Sequence, residues 1–148
     1  MNWTRITEED LECVLNKTQL DLLKSEAVRR NDASIAAKAI ELAVSRIRAE
    51  IAASGVNMLD EDYAKIPPEL RECGMRLAVD ILQSRIPSLE LSQSQLRAIE
   101  SSNEILRRVA AGELPVVRPR RGIKTARKYA VDHKASERRI TRVSTEGM

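Results

Sequence analysis

The chain has 148 residues, enough for one domain with an appendage, and a formal net charge of +3. Apolar residues make up 43% of it, but Trp3, Tyr63 and Tyr129 are its only aromatics and Phe is absent, so the core must be built from Leu, Ile, Val, Ala and Met. That palette argues against a β-sandwich and for a helical bundle.

Thr7 announces the first helix. Thr7-Glu8-Glu9-Asp10 sets a hydroxyl N-cap before an acidic first turn, close to a capping box with Asp in the third position. Leu11, Val14 and Leu15 follow on one face, and the helix is expected to stop near Asn16. Thr18 is the expected cap of a second short turn carrying Leu20, Leu22 and Leu23. Residues 25–31 read as a connection.

From Asp32 to Ser54 there is neither Gly nor Pro. Ile35, Ala39, Ile40, Ala43, Ile47 and Ile51 recur at spacings of three and four, which predicts one apolar stripe on a long helix ending at Gly55. Residues 56–66, VNMLDEDYAKI, read as a loop holding the acidic triplet Asp60-Glu61-Asp62. A solvated acidic loop is the expectation there, because the spacing does not match a calcium loop.

Pro67-Pro68 opens the next helix, with Leu70, Cys73, Leu77, Ile81 and Leu82 on its buried side. Gly74 within it points to a close contact, and Pro87 ends it. Ser92 caps the last long helix, whose stripe is Leu96, Ile99, Leu106 and Val109 with Ile105 beside it, and Gly112 ends it. The expected fold class is therefore all-α: a small bundle of three major and two minor helices over residues 1–114, with an extended basic C-terminal arm over 115–148.

The charge is divided along that boundary. Residues 1–114 hold 15 Lys/Arg and 19 Asp/Glu, a net of −4; residues 115–148 hold 10 Lys/Arg and 3 Asp/Glu, a net of +7. Such a split marks an interaction arm on a folded body. Arg29-Arg30 and Arg107-Arg108 read as solvated helix ends, the latter pair complementing a helix dipole.

Catalytic and metal-binding patterns are missing from the sequence. His133 is the sole histidine, and there is no CxxC, HExxH, P-loop, dinucleotide glycine fingerprint or GxSxG elbow. The expectation is a protein that is not an enzyme and carries no metal or cofactor. Cys13 and Cys73 are expected to be buried free thiols in a reducing compartment. The opening MNWTRITEEDLE has no apolar signal region and charges interrupt every apolar run, so synthesis in a cytoplasm and no membrane association are expected.

On charge alone, two readings of the arm stand level. Its cations could track nucleic-acid phosphates with a salt-dependent affinity, though base-stacking aromatics are nearly absent. They could equally dock on an acidic protein. Val116, Val117, Ile123, Tyr129, Val131, Ile140 and Val143 tilt the reading toward a protein surface, since an electrostatic tail has no need of them. Folding of the arm back on its own domain carries substantial weight beside both.

The layout resembles the Mu-type phage head-tail connector family over about residues 4–117. Ile6-Thr7-Glu8-Glu9-Asp10-Leu11 is similar to that family's TxEDL opening, followed by the short leucine turn Leu20–Leu23. The helix 36-AAKAIELAVSRIRAEIA-52 resembles ALxDAxxEIxxYL, and 67-PPELRECGMRLAVDIL-82 resembles VPxxLxxxAxDIARYxL. The segment 104-EILRRVAAGELPV-116, similar to LxxVAxGExxL, is the most specific. The family's aromatic stretch after the long helix is replaced here by Ile51-Ala52-Ala53-Ser54-Gly55 and the acidic loop, and the basic arm is longer.

The resemblance implies a structural neck protein of a virion. It implies an adaptor that assembles as a ring under the portal protein, meets other neck or tail-completion proteins and extends the channel through which DNA passes. A closed homo-oligomeric ring, of about a dozen copies by the resemblance, needs heterologous interfaces. DNA would pass through its lumen without sequence-specific binding. On this reading Arg118, Arg120, Arg121, Lys124, Arg127, Lys128, Arg138, Arg139 and Arg142 pair with acidic groups of the portal or a neighbouring subunit. Val116, Val117 and Tyr129 supply buried area, and Asp60, Glu61 and Asp62 form a loop facing the channel. The alternative is a small nucleic-acid-binding protein with a basic, phosphate-contacting tail.

Overall fold

A computed structural model of the chain describes residues 2–123. In chain order it contains β1 (Thr4–Arg5), a 3₁₀ segment (Glu8–Cys13), α1 (Lys17–Arg29), α2 (Ile35–Ala53), β2 (Leu59–Asp60), β3 (Lys65–Ile66), a 3₁₀ turn (Pro68–Leu70), α3 (Arg71–Arg85), α4 (Gln93–Ala110) and β4 (Gly122–Ile123). Most of it is helix, and α2, α3 and α4 pack pairwise on one another as a small all-α bundle. The strands are two-residue clips: β1 pairs antiparallel with β3, and β2 with β4.

The long helices start and stop where local chemistry dictates. Ser92 Oγ accepts the Gln95 N–H at 3.2 Å while Gln95 Oε1 accepts the Ser92 N–H at 2.8 Å, so two otherwise orphaned donors at the start of α4 are satisfied. Gly55 at φ +70° and Gly112 at φ +79° reverse the chain after α2 and α4, a conformation that L side chains resist. On α2 the residues Ala39, Ala43, Ile47 and Ile51 are wholly buried. Each such isoleucine contributes about 1.5–3 kcal/mol by leaving water.

Gly74 explains how α3 approaches the rest. A Cβ built there would overlap Ile6 Cδ1 and come within 3.1 Å of Ile66 Cδ1 and 3.3 Å of Ile47 Cδ1. The glycine thus admits three isoleucine tips, from the segments after β1, at β3 and on α2.

Four local expectations are corrected. The second helix is not a short turn capped by Thr18: α1 has 13 residues, is capped by Asn16, and absorbs most of the expected connection at 25–31. Asn16 Oδ1 accepts the Gln19 N–H at 2.8 Å and Gln19 Oε1 accepts the Asn16 N–H at 3.0 Å, a capping box written with Asn and Gln. Leu96 is 40% exposed, because the α4 stripe begins at Ile99. In its place Gln95 reaches inward and exchanges hydrogen bonds at 2.8 Å with buried Gln19, tying α4 to α1. Cys13 is exposed at the end of its 3₁₀ segment, whereas Cys73 is buried as expected.

Residues 56–66, expected as a loop, instead contain β2 and β3 joined by a turn over residues 61–64. Asp60 within the expected solvated triplet is only 6% exposed.

Candidate interaction surface at the arm root

The organiser of this surface is Arg48. Ala36, Ile40, Val44 and Arg48 form a row at spacings of four along α2, and all four are buried. The Arg48 side chain therefore leaves the helix toward the β2–β3 turn, not toward water. Its Nη1 donates to the carbonyls of Asp62 at 3.0 Å and Lys65 at 2.8 Å, and its Nη2 donates to the carbonyl of Asp60. The guanidinium lies 5.7 Å from the centroids of both Trp3 and Tyr63, within range of a cation–π contact with each. Burial pulls Arg48 below the ordinary arginine value, while the Asp60 and Asp62 carboxylates and Tyr63 pull the other way.

This pin divides the acidic triplet into three roles. The Asp60 carboxylate accepts the Asp62 N–H at 2.8 Å and is structural. Asp62 accepts the Arg5 guanidinium at 2.6 Å and the Ala64 N–H at 3.0 Å. The Arg5 hydrogen bond, then the backbone one, holds its carboxyl below the usual range. Glu61 alone stays exposed, 3.5 Å from Arg121.

Up to Ile123 the basic arm folds back on this turn. Trp3 Nε1 donates to the Val117 carbonyl at 2.8 Å, and the Val117 N–H donates to the Glu69 carboxylate at 2.6 Å. Val116 and Val117, expected to bury against a partner, are already half-buried against the chain's own core. Pro119 is buried. The Glu61 N–H donates to the Arg121 carbonyl at 3.0 Å, and β2 then pairs Leu59 with Ile123 and Asp60 with Gly122. A Cβ at Gly122 would meet the Met58 Cε at 2.6 Å, so the strand lies close over that side chain.

The expected site residues thus fall into three groups. Asp60, Glu61, Asp62, Arg120 and Arg121 come together, and with Asn2 and Lys65 they line a cleft of about 570 Å³. Arg118 is exposed and does not line the cleft. Lys124, Arg127, Lys128, Tyr129, Arg138, Arg139 and Arg142 lie outside the described residues. Among the described residues no group of three or more His, Cys, Asp or Glu is placed to hold a metal ion, and no helix is long and apolar enough to cross a membrane.

The residues missed by sequence reasoning are Arg48, Trp3 and Glu69. The row of four on α2 carried a signal for Arg48: a cation continuing a buried stripe requires acceptors inside. Nothing local pointed to Trp3 and Glu69, whose partner Val117 is 114 and 48 residues away.

Comparison with known protein families, with curated proteins and with solved structures finds no match.

Proposed function

We propose that this chain is a structural connector subunit of a phage neck, an adaptor that assembles side by side in a ring under the portal and docks through its C-terminal arm. The sequence resemblance over residues 4–117 motivates the reading. The observation that carries it is the fixed take-off of the arm. Residues 115–123 are held by the Trp3 indole, the Glu69 carboxylate and the β2–β4 clip, so the basic segment starts from one defined point on the bundle. A tether with a fixed origin suits repeated, identical contacts around a ring.

The charge around that origin favours a protein partner over a phosphate backbone. Asp60, Glu61 and Asp62 share one cleft with Lys65, Arg120 and Arg121, and Arg121 lies 3.5 Å from Glu61, so the cations at the arm root have carboxylates beside them. Phosphate affinity grows with uncompensated cations, and this end of the arm offers few. Glu61, the one exposed member of the triplet, is the residue of that loop best able to face a channel.

The test is a phage carrying the chain truncated after Ile123. Every contact described above is retained, so the subunit folds, but heads fail to join tails. Truncated protein that still completes infectious particles contradicts the proposal. Tight binding of the purified full chain to duplex DNA, falling steeply with salt, would favour the nucleic-acid reading.

A further inference from the structure

Away from the arm root, α2 and α4 present a second face. The two helices pack on one another and end together: a Cβ built at Gly112, after α4, would lie 4.0 Å from the carbonyl oxygen of Ser54, after α2. They therefore run parallel. Between them lies a cleft of about 590 Å³ that brings Arg46 of α2 beside Glu100, Glu104 and Arg107 of α4. On α2, Leu42 stands one turn before Arg46; on α4, Leu96 stands one turn before Glu100, so the same two rows continue the cleft with apolar side chains. Leu42 is 47% and Leu96 40% exposed.

The charges in the cleft are unequally used. Arg107 is taken by Glu104 at 3.0 Å. Arg46 and Glu100 line the same cleft, yet neither makes an ion pair among the described residues.

We infer that this face pairs with the same face of a second copy of the chain, about a two-fold axis running along the bundle. That axis lays α2 of each copy over α4 of the other. Leu42 then meets the second copy's Leu96, and Arg46 meets the second copy's Glu100, with each contact made twice. The helix ends align Ser54 with Gly112, which places both contacts at the same offset of one turn, so one orientation of the pair makes both. The balance of charge selects this occupant. Two cations and two carboxylates give the cleft no net attraction for a polyanion such as nucleic acid, whereas the face is its own complement. Helices of 19 and 18 residues are about 27 Å long and about 10 Å wide, so the paired faces can bury up to about 1,100 Å² in total, enough for a specific contact. The inference concerns the free subunit and stands apart from the connector reading.

The test is sedimentation equilibrium of the purified full chain with charge-swapped variants. The parent should form pairs and nothing larger. Arg46→Glu sets two carboxylates against each other at both contacts, and Glu100→Arg sets two cations; each should raise the concentration at half-association about tenfold or more. The double variant, Arg46→Glu with Glu100→Arg, has the parent's net charge and should restore pairing. Both positions are exposed, and unchanged thermal unfolding by circular dichroism shows that the variants fold. A parent that stays monomeric at about 100 µM, where a micromolar contact is filled, would overturn the inference. So would pairing that neither single swap weakens, a double variant that does not recover, or association that grows beyond two copies.

Discussion

Replacing Arg48 with Met removes a buried guanidinium while keeping the length of the side chain. The carbonyls of Asp60, Asp62 and Lys65 each lose the guanidinium donor, and that of Asp62 keeps the Lys65 N–H at 3.1 Å. A hydrogen bond from a charged donor contributes about 1.5–3 kcal/mol net, and a cation–π contact with a desolvated ring about 0.5–2 kcal/mol. These do not add, because the turn carries exposed residues and water can reach some of the freed carbonyls. Removal of the unfavourable arginine burial offsets a further part. The expected loss is about 3–5 kcal/mol. With a urea slope of about 2 kcal/mol/M, the unfolding midpoint should fall by about 2 M. Trp3 is the sole tryptophan and lies against Arg48, so its fluorescence follows both the site and global unfolding. Arg48→Lys retains the charge but cannot span three acceptors, and should lose roughly half as much. The Glu61 amide, bonded to the Arg121 carbonyl, should exchange faster in both variants. An Arg48→Met protein within about 1 kcal/mol of the parent, with Glu61 exchange unchanged, would refute the reasoning.

Gly74→Ala gains up to about 1 kcal/mol of helix propensity but drives a methyl into Ile6, Ile66 and Ile47, so a net loss of about 1–3 kcal/mol is expected by urea denaturation; a stabilised variant would show that the three tips can retreat. A maleimide added to native protein should label Cys13 and spare Cys73, which is buried and whose thiol burial pushes up; two thiols should react only after denaturation, and rapid labelling of both in native protein would contradict the packing of α3. Asp10, held low first by the hydrogen bond from Arg71, and Asp62, held low first by that from Arg5, contribute stability that is full above the ordinary carboxylate value near 4 and is lost as pH falls through their lower folded values. Arg5→Gln with Arg71→Gln should therefore flatten the loss of stability between about pH 5 and pH 2, and an unchanged slope would show that these exposed pairs are screened out.

The three long helices were legible because their signals are local. Ser92 with Gln95, Pro68 before α3, and Gly55 and Gly112 after α2 and α4 each act within a turn of the chain. The α1 helix is only partly legible in the sequence, for a physical reason. It lies at the edge of the bundle with only Gln19 and Leu23 buried, so its apolar stripe is thin, and its cap is Asn16 rather than the hydroxyl at Thr18. The clips β1–β3 and β2–β4 have two residues per strand, too few for alternation to be visible. They join segments about 60 residues apart, so only the assembled core decides them. The candidate surface was half legible: the acidic triplet and the basic arm both stood out by charge. Their juxtaposition was not legible, because it depends on Trp3 and Glu69 holding Val117 and on Arg48 shaping the turn. Asp60 reads as a solvated charge by sequence and is buried because its carboxylate closes that turn.

Electron cryomicroscopy of the neck of virions containing this chain tests the connector assignment most directly. The account predicts a closed ring of these bundles beneath the portal, with density beyond Ile123 running onto the portal or an adjoining subunit. A neck without such a ring, or a ring whose C-terminal segments contact only the DNA in the channel, would contradict it.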